Sequence, residues 1–151
     1  MKAFRNPFLL VVLLCSLFLV KCTCGTEEDP DTLVKEISKA WKISALTVTT
    51  GTDNQSITTG IDGFTLTLNQ SGDAPTTYTI VTGGLAYNFA PNTSGSWSLA
   101  PNNNNPTSIT FSNSTVELLN VSKDQLVIQY KEAAAPGKPE PVVKFTLVPK
   151  I

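Results

Sequence analysis

The chain has 151 residues, enough for one domain around one core once a leader is set aside. Only 15% of residues are charged, histidine is absent, and 11 basic against 12 acidic residues leave a net charge of -1. Setting aside Lys2, Arg5 and Lys21 with the leader leaves 8 basic and 12 acidic residues, a balance of -4. An acidic domain without a basic run carries no electrostatic footprint for nucleic acid, which excludes that class of partner.

The leader comes first. Met1 to Asn6 holds Lys2 and Arg5, and Phe8 to Val20 is apolar except for Ser16, the charged and apolar regions of a secretory signal. The run falls short of the roughly 20 apolar residues a membrane span needs. Cys15, Cys22 and Cys24 all lie in or just after it, so no disulfide framework is expected in the domain. Leu19-Val20-Lys21-Cys22 resembles a bacterial lipobox, with Lys21 where the pattern prefers a small residue. That resemblance implies a signal peptide over 1–21, a diacylglycerol on the Cys22 thiol, and attachment to a membrane through that lipid, each buried methylene contributing about 0.8 kcal/mol.

Residues 22–31 read as an acidic, flexible tether. Its Glu27, Glu28 and Asp29 are similar to the export signal of surface lipoproteins in Bacteroidota, which implies a lipid-anchored place in the cell envelope, at the outer membrane and on the cell surface. Asp31-Thr32-Leu33 is similar to the O-glycosylation motif of the same bacteria. The Asn-x-Ser/Thr sequons at Asn54, Asn69, Asn92, Asn113 and Asn120 follow in such a protein from composition alone.

The domain proper, residues 32–151, opens on a short helical pattern from about Pro30 to Ala40. Leu33, Val34, Ile37 and Trp41 recur at helical spacing, after Asp29 as N-cap and Pro30 at the first helical position. Period-two alternation then takes over, the sign of strands buried on one face. It runs through Trp41-Ile43-Ala45, Phe64-Leu66-Leu68, Tyr78-Ile80 and Leu85-Tyr87-Phe89. It continues through Trp97-Leu99, Ile109-Phe111, Val116-Leu118, Leu126-Ile128-Tyr130 and Val143-Phe145-Leu147. Turn chemistry at Asn69 to Pro75, Gly83-Gly84, Asn92 to Gly95 and Ser112 to Ser114 makes successive hairpins of these eight or nine strands. One apolar face per strand requires the meander to close on itself or fold into two facing sheets, and a barrel is the expectation. Ala133 to Pro141 reads as a proline-rich loop between the last two strands.

Ala40-Trp41-Lys42-Ile43, Gly63-Phe64-Thr65-Leu66, Ser94-Gly95-Ser96-Trp97-Ser98-Leu99 and Pro106-Thr107-Ser108-Ile109, in that order, resemble the lipocalin-like lipoproteins of uncharacterised function in Bacteroidota. True lipocalins usually carry a glycine two residues before the first-strand tryptophan, where this chain has Lys39. The resemblance implies an all-β, antiparallel up-and-down barrel of about eight strands, a scaffold that in its best-known members holds one small apolar ligand.

Chemistry is sparse. Without histidine, and with no cysteine in the domain, the usual nucleophile–base pairs, most zinc sites and histidine-ligated haem are ruled out. A glycosidase needs two facing carboxylates, and Asp53, Asp62, Asp73, Glu117, Asp124, Glu132 and Glu140 fall mostly in expected turns. Neither Asp53-Asn54 nor Asp62-Gly63 approaches the spaced ladder of a calcium loop. No enzyme, metal or cofactor is therefore expected. The aromatic residues remain, with Trp41, Tyr78, Tyr87, Trp97 and Tyr130 as candidate ligand contacts. Two readings follow: a tethered barrel that binds a small apolar or amphipathic molecule, or a barrel filled by its own side chains that docks onto another envelope component.

Overall fold

The computed structural model describes residues 30–103 and 105–151. Cys22, the Asp29 cap and residues 22–29 of the acidic tether lie outside the described residues, while Pro30 and Asp31, the last two tether positions, are already helical. Helix α1, Pro30–Ile37, begins at the proline and ends three residues earlier than the spacing suggests. Eight residues are too few for a helix to stand alone in water. Its support is tertiary, since Val34 and Ile37 are fully buried, each such side chain contributing about 1.5–3 kcal/mol.

Nine strands follow: β1 Ala40–Thr50, β2 Asp53–Ser56, β3 Thr65–Ser71, β4 Ala74–Val81, β5 Ser94–Ala100, β6 Ser108–Phe111, β7 Ser114–Val121, β8 Leu126–Lys131 and β9 Val142–Pro149. All neighbours are antiparallel. From β3 to β9 each strand pairs with the next, and β9 returns to β1 from Trp41↔Pro149 to Thr49↔Val142. At its start β1 pairs with β3 through Ala40↔Thr67 and Trp41↔Leu66, which closes an eight-stranded barrel of the expected up-and-down kind. Register shifts between Ile43 and Ala45, Leu68 and Gln70, and Leu118 and Asn120 are bulges of the sort that bend strands for closure.

Two expectations need correction. Leu85-Tyr87-Phe89 is not a strand. Gly83 and Gly84 adopt positive φ, β4 passes directly to β5 through Tyr78↔Gly95, and residues 82–93 form a long loop. Conversely, β2 pairs with the far half of β1, from Thr47↔Ser56 to Thr50↔Asp53, as an extra strand outside the barrel. All four of its residues are exposed, so it carries no apolar alternation to reveal it.

Alternate side chains of the barrel strands point inward. Leu66, Ile109, Phe111, Leu126, Ile128, Val143, Phe145 and Leu147 are all fully buried. We call the end bearing α1, the β3–β4 turn and the β7–β8 turn the lower end. Val34 and Ile37 of α1 join the core there. At the upper end, the loop 82–93 contributes Leu85, Phe89 and Ala90 to the core, and Ile57 and Ile61 of the β2–β3 connection pack against it.

Candidate functional site

The five candidate aromatics do not converge. Trp41 is fully buried at the lower end, and its indole N–H donates to the Ile37 carbonyl at 2.9 Å. The Trp97 indole N–H donates to the Asn69 carbonyl at 2.7 Å. An indole has one donor, so both are satisfied within the chain and act as packing residues. Tyr78 is fully buried; its hydroxyl donates to the Asn92 carbonyl at 3.2 Å and lies 3.4 Å from the Ser112 hydroxyl. Its ring meets Phe111 edge-on, with centroids 5.1 Å apart.

The residue around which the interior rings gather lies outside the five candidates. Phe89, carried in by the upper loop, lies 4.9 Å from Phe111, 5.2 Å from Phe145 and 6.1 Å from Phe64, centroid to centroid. Phe64 and Phe145 are themselves 5.9 Å apart. Tyr78, Phe111, Phe89, Phe145 and Phe64 thus form one continuous chain of ring contacts across the barrel. The loop is fastened to β7 by the Ser114 hydroxyl, which donates to the Phe89 carbonyl at 3.0 Å, and is shaped internally by the Asn88 side chain, which accepts from the Ala90 N–H at 3.2 Å.

Tyr130 and Tyr87 are the two candidates left partly open, both packed on the edge of the core. Tyr130 stacks on Phe145 with centroids 6.3 Å apart and donates its hydroxyl to Glu132 at 3.2 Å. Burial, first, and the Glu132 carboxylate hold its phenol well above the usual range, with the Asn88 backbone acting the other way. The phenol is neutral and a donor.

Tyr130 also marks an interruption in the wall. The β7–β8 ladder ends at Glu117↔Gln129, although β7 continues through Val116, Thr115 and Ser114 and β8 through Tyr130 and Lys131. A cleft of about 340 Å³ opens at this boundary. Val116 and Tyr130, on inward-facing positions, and Val142 supply its apolar lining, and Thr115, Glu117, Gln129 and Lys131 its polar lining. Gln129 donates to the Glu117 carboxylate at 2.6 Å, and Lys131 pairs with Glu140 at 3.7 Å.

Among the described residues no three metal-capable side chains gather, and no helix is long and apolar enough to cross a membrane. Fold and interior together define the class: an eight-stranded, up-and-down antiparallel barrel with an aromatic centre, covered by a helix at one end and by loops at the other. Comparison with family models, with characterised proteins and with solved structures returned no match.

Proposed function

We propose that the chain is an exported protein of the cell envelope, anchored through a lipid on Cys22, whose barrel is a non-enzymatic interaction module recognising its partner on the outer wall. The observation that supports this reading is the ring chain around Phe89, in which the barrel's own aromatic side chains contact one another in the interior that a carrier barrel would leave to a ligand. Kinship with the lipocalin-like lipoproteins, and a place at the outer membrane and cell surface, belong to the same proposal. They rest on the leader and on the motif order of the strands.

Native mass spectrometry of protein purified from its host tests the interior. The expected spectrum shows the acylated chain alone, and an apolar small molecule retained at one per chain would overturn the filled-barrel reading. Replacing Cys22→Ser tests the anchor. The variant should stay as a larger precursor and leave the membrane fraction, whereas unchanged size and partition would remove the lipid from the proposal.

A further inference from the structure

The β7–β8 boundary is a fork between two strands, and backbone geometry dictates what faces its opening. The Leu118 N–H donates to the Thr107 carbonyl at 2.9 Å, on the β6 side. Antiparallel alternation therefore turns the N–H and C=O of Glu117, and next of Thr115, towards β8. On the other wall the Glu132 N–H donates to the Pro141 carbonyl at 2.9 Å, on the β9 side. The same alternation turns the backbone of Lys131 towards β7. Glu117 pairs with Gln129, but Thr115 and Lys131 have no ladder partner across the boundary.

A strand edge of this kind is the element that binds extended polypeptide by adding a strand, with backbone bonds supplying affinity and alternate side chains specificity. The fork has both. Thr115 and Lys131 offer backbone donors and acceptors. Between them the cleft leads to Val116 and the Tyr130 ring, which face inward as an apolar seat. The rim carries opposite charges on its two walls, Glu117 on β7 and Lys131 on β8, with Glu132, Glu140 and Lys144 on adjoining positions. That arrangement suits the near-neutral, alternating dipoles of a peptide backbone better than a free anion or cation. The outer edge of β2 is also open and exposes four polar-faced residues; a cleft of about 400 Å³ lies along β1 and β2, lined by Val48, Thr50, Asp53, Asn54 and Gln55, with Val48 as its one apolar lining residue and no aromatic ring.

We propose that the β7–β8 fork accepts an extended peptide segment of a partner protein, hydrogen-bonded to Thr115 and Lys131, with one apolar side chain seated on Val116 and Tyr130. This rests on the reading that the wall, and not the axis, is the recognising surface.

The test uses the purified mature protein and acetylated, amidated pentapeptides with a central Ala, Leu, Phe, Tyr or Trp between Val and Thr flanks. At least one peptide with a large apolar centre should slow amide exchange at Thr115 and Lys131. Methylating its central backbone nitrogen, or replacing Thr115→Pro, should weaken binding by about tenfold, the effect of one lost backbone hydrogen bond. The methylated peptide needs no variant protein, so a misfolded T115P leaves the test intact. If no peptide of the set protects these amides up to millimolar concentration, the proposal fails. It fails equally if the methylated peptide binds as well as its parent, because the cleft then takes small apolar molecules without reading backbone. Either failure leaves the packed interior untouched, while an axial ligand found by mass spectrometry would overturn the interaction reading independently.

Discussion

Gly63 and Gly83 meet backbone to backbone. A Cβ on Gly63 would stand 2.7 Å from the Cα of Gly83, and one on Gly83 would overlap the Gly63 backbone. Gly83 is also at φ +61, in the left-handed region. The contact joins the β2–β3 connection to the β4–β5 loop, the two segments that cover the upper end. Replacing Gly83→Ala should therefore add a steric clash to the left-handed penalty and cost upwards of about 3 kcal/mol. Gly72 provides the comparison, with φ +60 and nothing within 4 Å of its Cβ position. Gly72→Ala should cost only about 1–2 kcal/mol. Urea unfolding of the two variants measures the difference.

Phe89 is 3% exposed although it sits in a loop. Phe89→Ala should destabilise by about 3–5 kcal/mol, the range for deleting a buried aromatic ring from a packed interior. A loss below about 1 kcal/mol, the size expected of a surface position, would mean that the loop does not hold the ring in place. The same variant should create an apolar void that takes up a fluorescent apolar dye, a response absent from the parent protein.

The bond from the Trp41 indole to Ile37 ties the first strand to the last turn of α1. Trp41→Phe keeps most of the buried ring and removes this donor, at a cost of about 1 kcal/mol. Amide exchange should then quicken in α1 more than in the barrel strands. Uniform quickening would assign the whole effect to the core.

Tyr130 sets a limit at alkaline pH. Its phenol is held neutral in the fold above the ordinary value near 10, so at high pH the unfolded chain releases this proton while the folded chain keeps it. The unfolded state then binds fewer protons, and stability falls as pH rises above about 10. Below that value the group contributes no pH dependence. Unfolding midpoints measured from pH 8 to alkaline conditions, in parent and Tyr130→Phe, should show a decline that is shallower in the variant.

Barrel strands were legible because inward positions such as Leu66 and Leu68, or Phe145 and Leu147, alternate with outward ones. The same rule misleads at Leu85-Tyr87-Phe89. Leu85 and Phe89 are buried as a strand's inner face would be, yet they reach the core from a loop, and burial alone does not record which backbone bonds accompany it. Strand β2 failed in the opposite sense, being paired without being buried. Its one signal is Gly51 at φ +62, a turn glycine between Thr50 and the polar Asp53–Ser56 segment. Of the site, Tyr130 was within reach as an aromatic with a polar tip. The fork around it was not, since where a ladder stops depends on the paths of two strands rather than on either one's composition.

The pairing of β1 with β9 also has a bearing on when this molecule can be finished. Lys42 meets Val148, so the first barrel strand waits for nearly the last residues of the chain before its edge is covered. Until then β1 and β8 present open rims, and the contact that seals them is among the most distant in sequence, which makes closure a late and slow event. Late closure leaves the edges of β1 and β8 open through most of folding, so the barrel gains its rigidity in a single final step.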